Sequence, residues 1–72
     1  MNIKKLFGKN VRQARIEKGW SQEELADRAG LHRTYISGVE RGKRNPTLTV
    51  IYKLSSALER DVSLLLKGAS GK

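Results

Sequence analysis

The sequence predicts an all-α domain built from five short helices. Apolar residues recur at helical spacing along the chain, and no stretch alternates with the period of two that marks a half-buried strand. Capping residues and glycines divide this pattern into five segments without an internal repeat or a linker. Because the chain has 72 residues and no cysteine, one small apolar core must hold the fold without disulfides or thiolate metal sites.

The first helix is predicted from Ile3 to Lys18. Asn2 can cap its start, and Gly19 can supply the left-handed residue that ends it. Gly8 is expected to loosen the first turn, because glycine costs up to about 1 kcal/mol relative to alanine in a helix. The predicted apolar face carries Phe7, Val11 and Ala14, with Ile16 beside them.

The second helix has the clearest start signal in the chain. Ser21 followed by Glu24 is a capping box, in which each side chain bonds the backbone amide of the other residue. Trp20 before the cap and Leu25 after the first turn form the hydrophobic staple that accompanies such a box. We expect the helix to stop at Gly30, after two turns.

A short turn, Gly30-Leu31-His32, leads into a third helix predicted from Arg33 to Arg41 and ended by Gly42. Two short helices joined by so tight a turn must cross steeply, which is the arrangement of a helix-turn-helix unit made by helices 2 and 3. His32 is expected to cap or flank the third helix. The residues expected to point inward from this segment are Leu31, Ile36 and Val39.

The fourth helix is predicted to be capped by Thr47, and a fifth, capped by Asp61, is predicted from Val62 to Lys67. Gly68 would close the fifth helix, so that residues 1–68 form the domain and residues 69–72 a flexible tail. The predicted inner face of the fourth helix carries Leu48, Ile51, Leu54, Ala57 and Leu58.

The charge balance is the first functional indication. Fifteen Lys and Arg against seven Asp and Glu give a formal net charge of +8 and a pI near 10.3, which favours a polyanionic partner through phosphate contact and counterion release. A merely solvated basic surface is the alternative. The basic residues are spread over several segments, which argues against a membrane-surface helix. No apolar run approaches the roughly 20 residues of a spanning helix, so we expect a soluble, cytoplasmic protein.

The first turn of the third helix carries residues suited to reading bases. In a helix-turn-helix unit the second helix enters the major groove, where its N-terminal residues reach base edges. Arg33 can bond guanine O6 and N7, and Thr34 offers a hydroxyl and a methyl group. Ser37 lies one turn later on the same face, and Tyr35 flanks it. An ordinary solvated helix face is the alternative, but the preceding turn and the basic loop that follows favour DNA.

Phosphate contacts are expected on either side of this face. Gln22 begins the second helix, where its amide and the helix N-terminus can meet a phosphate. The residues that follow the third helix and suit further phosphates are Arg41, Lys43, Arg44 and Asn45.

Two segments carry a resemblance to a known family. The stretches WSQEELADRAGL, from Trp20 to Leu31, and YISGVERGKRNPTL, from Tyr35 to Leu48, resemble the lambda-repressor-like (XRE-type) helix-turn-helix family. The similarity extends over residues 6–68 and implies a compact five-helix DNA-binding domain. Within the family, RTYISGVER is especially similar to the controller proteins of restriction–modification systems. Those are dimeric regulators that activate, and at higher occupancy repress, their own operon and the endonuclease gene.

The resemblance also implies roles for individual residues. It matches Arg33, Thr34 and Ser37 to base-reading positions, and Tyr35 to one that packs on or shapes the DNA backbone. It matches Gln22, Arg44 and Asn45 to phosphate-contacting positions. It further implies a buried pair between Arg15 and Glu40, and the loss of one partner from such a pair costs about 3–5 kcal/mol. Two positions depart from the family pattern. Glu59 stands where a helix-ending glycine is usual, and Gly38 has no side chain with which to read a base.

A homodimer on a pseudo-palindromic operator is expected, because one such module makes few base contacts. The fourth and fifth helices are more apolar than a small monomer needs. We therefore expect Val50, Tyr52 and Leu64 to form a two-fold interface. Alternatively, the three consecutive leucines of the fifth helix simply cap a shallow core.

Other functions remain open at this point. A phage-type repressor or a DNA-binding antitoxin is the main alternative among regulators, and a protein-interaction adaptor on the same fold is the alternative of another class. An enzyme is rejected, because the sequence has no carboxylate pair, activated nucleophile, phosphate loop or metal-binding cluster. The expected partners are double-stranded DNA, a second copy of the chain and RNA polymerase, with no cofactor, metal, membrane or small-molecule ligand.

Overall fold

A computed structural model describes residues 2–69, and this part of the chain is helical without a strand. The five predicted helices are present, which confirms the all-α fold class. They are α1 (Ile3–Glu17), α2 (Gln22–Ala29), α3 (Arg33–Glu40), α4 (Leu48–Leu58) and α5 (Val62–Leu65). Most of the predicted tail, residues 70–72, lies outside the described residues.

The helix starts follow the capping residues. The side chains of Asn2, Ser21 and Thr47 each accept a hydrogen bond from the backbone N–H three residues later. The capping box is only half formed, because the Glu24 carboxylate accepts a bond from Arg28 Nε at 2.6 Å, and residues 2–69 show no return bond to the Ser21 amide. Asp61 stands at the start of α5 without a side-chain capping bond.

Three helices end earlier than predicted. Helix α1 ends one residue before Lys18 and α3 one residue before Arg41; both of these residues cap their helices with their backbone amides. Helix α5 ends at Leu65 and not at Lys67, and a turn of three residues follows it. Asn10 on α1 explains this end, since its Nδ2 donates to the carbonyl oxygens of Leu65 at 2.9 Å and Lys67 at 3.0 Å.

All five helices contribute to one apolar core. Two residues predicted to face it are instead exposed: Ile16 by 47% and Leu48 by 84%. At 100° per residue, Ile16 lies about 140° around α1 from Val11, and Leu48 about 120° around α4 from Leu54, so neither side chain can reach the interior. The buried apolar residues are Phe7, Val11, Ala14, Leu25, Ala26, Ala29, Ile36, Val39, Leu54, Leu58 and Leu65.

Gly8 marks a close approach of α1 to α3 and not a loose first turn. It is buried in the interior of α1, and a Cβ atom built on it would overlap the carbonyl oxygen of Val39 and lie 2.9 Å from that of Glu40. The sequence reading of Gly8 was therefore wrong. The missing side chain allows the backbone of α1 to meet the C-terminal end of α3.

The junction of α4 and α5 is tied to the end of α1 by two ion pairs. Lys18 Nζ lies 2.5 Å from a carboxylate oxygen of Glu59, and Arg60 pairs with Glu17. Hydrogen bonds from Arg60 and Gln13 lower the pKa of Glu17, and the bond from Lys18 lowers the pKa of Glu59. Glu59 adopts the left-handed conformation, with φ at 55°, where the family pattern has glycine.

Substitution of Gly8 by alanine tests the contact between α1 and α3. Helix propensity alone would make Gly8→Ala stabilising by up to about 1 kcal/mol. We expect the opposite sign, a loss of about 1–3 kcal/mol in the free energy of unfolding, because the new methyl group has no space. Urea denaturation followed by circular dichroism measures the change. Lys9→Ala, at an exposed position of the same helix, is the control, and a more stable Gly8→Ala protein would contradict the assignment.

Candidate nucleic-acid interface

Helices α2 and α3 form a helix-turn-helix unit. Gly30 takes the left-handed conformation at the end of α2, with φ at 69°. The amide of Leu31 then bonds the carbonyl of Ala26 at 2.9 Å, which turns the chain sharply toward α3. His32 precedes α3 at the N-cap position, and its side chain makes no capping bond. The unit predicted from the turn is therefore present, with His32 flanking the second helix.

One side of α3 is buried and the other is open to solvent. Ile36, Gly38 and Val39 face the interior. Arg33 and Thr34 are exposed in the first turn, and Tyr35 and Ser37 are half-buried beside them. Ser37 lies about 40° around the helix from Arg33, so the structure brings these two residues onto one face. Arg33, Thr34 and Ser37 thus share the accessible surface of α3, whereas Tyr35 lies about 160° around the helix from Arg33 and packs partly against the core.

The loop after α3 folds back over Gly38 and Tyr35. Lys43 is anchored by its amide, which bonds the carbonyl of Gly38 at 2.8 Å. The Arg44 guanidinium lies 5.1 Å from the centre of the Tyr35 ring, within cation–π range. A Cβ built on Gly38 would lie 2.9 Å from Arg44 Cγ, so the absent side chain at Gly38 gives the stem of Arg44 its space. Sequence reasoning missed this contact, which places Arg44 beside Tyr35.

A network of hydrogen bonds joins α1, α2 and α3 next to this face. Arg15 donates from Nε to Glu40 Oε2 at 2.7 Å and from a terminal nitrogen to Glu40 Oε1 at 3.0 Å. Its other terminal nitrogen donates to the carbonyl oxygen of Trp20 at 2.6 Å. The side chains of Arg15 and Glu40 are only 11% and 2% exposed. Among the described residues, no buried side-chain polar atom lacks a hydrogen-bond partner.

Gln22 takes part in this network. Its Nε2 donates to Glu40 Oε1 at 3.0 Å, an interaction that the sequence did not reveal. The amide carries a second N–H, so that one donor remains for a phosphate. The network therefore fixes the side chain that stands at the N-terminus of α2.

No carboxylate in the described part of the chain forms an ion pair with the cations of this surface. In residues 2–69, the cations that form ion pairs are Arg15, Lys18, Arg28 and Arg60. The exposed cations of α3 and the following loop are Arg33, Arg41, Lys43 and Arg44. Since none of these four is neutralised by a carboxylate, the positive charge of the chain is available here to a polyanion. Asn45 is exposed in the same loop.

The residues predicted to form a dimer interface differ in exposure. Tyr52 on α4 is 69% exposed and Leu64 on α5 is 48% exposed. Val50 is half-buried and packs against the core, so it offers less surface to a partner. Leu48, which was predicted to face the core, lies about 40° around α4 from Tyr52 and so shares its exposed side.

Residues 2–69 contain no group of three or more His, Cys, Asp and Glu side chains that could hold a metal ion. Within the same residues, no helix combines the length and apolar character needed to cross a bilayer.

Comparison with known proteins identifies close relatives. Residues 11–65 match a protein-family model whose description is "Helix-turn-helix". The control protein C.BamHI of Bacillus amyloliquefaciens is 57% identical over 58 residues, which cover 79% of this chain and 72% of the relative. The control protein C.SmaI of Serratia marcescens is 48% identical over 66 residues, which cover 92% of this chain and 79% of the relative.

A solved structure shares both fold and sequence. The crystal structure of the restriction–modification controller protein C.AhdI from Aeromonas hydrophila superposes with a TM-score of 0.84 at 47% sequence identity. The superposition covers 86% of this chain and 94% of that chain.

Removal of Arg15 tests the network that supports the interface. Arg15→Ala leaves the Glu40 carboxylate buried without its charge partner, and we expect the free energy of unfolding to fall by about 3–5 kcal/mol. Urea denaturation followed by the fluorescence of Trp20 measures the loss. Arg12→Ala, at an exposed position of α1, is the control. Replacing both charges, in Arg15→Met/Glu40→Leu, should recover part of the stability, and a loss below about 1 kcal/mol in Arg15→Ala would contradict the role of the pair.

Proposed function

This chain belongs to the helix-turn-helix family and is a DNA-binding transcriptional regulator; from that premise we propose that it acts as a homodimer on a pseudo-palindromic operator and controls a restriction–modification operon. The observation that carries the proposal is the exposed face of α3, where polar side chains suited to base edges stand among cations without carboxylate partners. The identity with two control proteins supports the choice of operon.

Base reading is assigned to the first half of α3. Arg33 and Thr34 project from the helical turn that enters the major groove first, where arginine recognises guanine and threonine contacts thymine. Ser37 extends this contact by one turn, and Tyr35 packs on the sugar–phosphate backbone. The stacking of Arg44 on Tyr35 supports a shared position for these two side chains at the DNA surface.

Phosphate contacts are assigned to both ends of the unit. Gln22, held by Glu40, presents its remaining N–H beside the N-terminus of α2, where backbone amides also favour an anion. Arg41, Lys43 and Asn45 stand at the other end, after α3, and would meet the next phosphates along the groove.

The homodimer is assigned to the exposed side of α4 and α5. Tyr52 and Leu64 are apolar or aromatic side chains on the surface of a small, highly charged domain. Two copies would cover this surface by packing it against itself, as a two-fold interface requires. Leu48 extends the predicted interface, and the half-buried Val50 contributes at its edge.

As a controller, the dimer would activate its own operon and the endonuclease gene at low occupancy and repress at higher occupancy. RNA polymerase is the further partner that activation requires. The protein would act where the chromosome lies, in the cytoplasm. Its occupancy would follow its concentration through dimerisation, without a small-molecule ligand or a cofactor.

Arg33→Ala tests base reading. Selection from a random duplex library should first yield a symmetric motif, against which the variant is titrated by fluorescence anisotropy. We expect a loss of about 1–3 kcal/mol on the selected motif and little change on scrambled DNA, because only the specific complex contains the arginine–guanine contact. Lys53→Ala, on the exposed surface of α4, is the control. Equal weakening on both duplexes would contradict base reading, and an absence of any enriched motif would favour a protein-interaction adaptor.

Sedimentation velocity tests the dimer. At tens of micromolar the parent protein should sediment as a dimer, and Tyr52→Glu and Leu64→Glu should shift it to a monomer, because each places a charge in the apolar interface. Ile16→Glu is the matched control, since Ile16 is equally exposed but lies on α1, outside the predicted interface. A monomeric parent, or a dimer that only Ile16→Glu disrupts, would contradict the assignment.

A further inference from the structure

The N-terminal turn of α1 lies against the loop that follows the recognition helix α3. A Cβ built on Gly42 would lie 2.5 Å from Lys5 Cγ and 2.9 Å from Lys5 Cα. Gly42, which follows the C-cap residue of α3, is therefore in contact with the backbone of α1 and with the side-chain stem of Lys5. This contact continues the backbone approach at Gly8, which meets the last turn of α3.

A second lysine of the same turn meets the other end of this loop. Lys4 lines a small surface slot together with Asn45 and Pro46. Lys4 and Lys5 thus stand beside the end and the start of the segment from Gly42 to Pro46, and both side chains are exposed. Their positions follow from backbone packing, so that the two lysines cannot move away from the loop unless α1 moves away from α3.

The two lysines stand beside further cations, and the Glu40 carboxylate at the end of α3 is buried and paired with Arg15. The first acidic residue of the chain is Glu17, three turns further along α1. Neither lysine takes part in an ion pair within residues 2–69. Together with the exposed Arg41 and Lys43, they form one cationic strip that runs from the end of α3 onto α1. We call Lys4, Lys5, Arg41 and Lys43 the α1–loop strip.

We propose that Lys4 and Lys5 contact backbone phosphates of the same DNA duplex that α3 reads, so that the DNA interface extends beyond the helix-turn-helix unit onto the start of α1. The strip is continuous with the loop already assigned to phosphates, and ammonium groups on flexible stems suit phosphate contact without base selection. The proposal rests on the DNA-binding function, but it needs neither the dimer nor the restriction–modification operon.

The salt dependence of binding separates this role from a general effect of charge. Lys4→Gln, Lys5→Gln and the double variant are titrated at several salt concentrations against the selected motif and against a scrambled duplex. Each lysine that contacts a phosphate should contribute about 0.9 to the slope of log K against log salt, so the double variant should lose about 1.8 for each bound protomer, which is about 3.6 for a bound dimer. The decrease in this slope should be the same on both duplexes, because phosphate contacts carry no sequence information.

Two controls make the outcome decisive. Lys53→Gln removes the same charge from α4, where Lys53 lines a cleft beside the C-terminal end of α2 and not the α1–loop strip. Lys5→Arg keeps the charge and should bind like the parent. The circular dichroism and melting temperature of each variant confirm that the fold is kept, and Lys4→Gln serves alone if Lys5→Gln weakens the packing on Gly42.

Salt slopes of Lys4→Gln and Lys5→Gln that equal that of Lys53→Gln would overturn the proposal, since the lysines would then act only through net charge. A loss confined to the selected motif would also overturn it, because it would mean base reading. If the parent shows no motif preference but the slopes still fall on scrambled DNA, the phosphate contacts stand and the proposed operator function fails.

Discussion

The arrangement of the whole DNA-binding surface depends on the buried contact between Arg15 and Glu40. These two side chains come from α1 and the last residue of α3, and the same guanidinium also holds the Trp20 carbonyl in the turn before α2. Three helices are thus joined by one planar group, whose donors match a carboxylate and a carbonyl at once. A pair this well bonded tolerates burial, whereas either partner alone would be a costly buried charge.

Backbone packing turns this polar contact into a rigid frame. Gly8 and Gly42 stand on opposite sides of the contact between α1 and the end of α3, and in each case an added methyl group would meet the other element. Neither close approach can be relieved by rotating a side chain, because the neighbouring atoms include backbone. Helix α3 is therefore held at its C-terminal end, while its N-terminal turn, with Arg33, stays exposed, as the proposed base contacts require.

The sequence was sufficient for most features governed by local rules, and the family resemblance supplied one contact between distant residues, the buried pair of Arg15 and Glu40. The other contacts between distant residues were not predictable. The capping bonds of Asn2, Ser21 and Thr47 and the turn at Gly30 were predictable, because capping and left-handed glycine depend on neighbours in the chain. Asp61 was predicted as a cap in the same way but makes no such bond. Gly8 was misread, because a glycine that permits a close approach looks the same in sequence as one that weakens a helix. Leu48 was misassigned, because the spacing of apolar residues in α4 does not show how wide the buried face is, and Leu48 lies about 120° around the helix from Leu54. The bond from Gln22 to Glu40 spans 18 residues, and no local pattern indicates it.

The distribution of acidic residues explains how a negative charge can stand so near a DNA surface. Glu40 ends the recognition helix, where the helix dipole is already negative and would repel phosphate. Arg15 cancels its charge, and Gln22 occupies one of its oxygens while keeping a donor for the DNA. Glu17 and Glu59 are paired with cations at the junction of α4 and α5, away from α3. The residual charge of +8 is thereby carried by exposed cations that include Arg33, Arg41, Lys43 and Arg44, so the ion pairs that hold the fold leave these cations available to a polyanion.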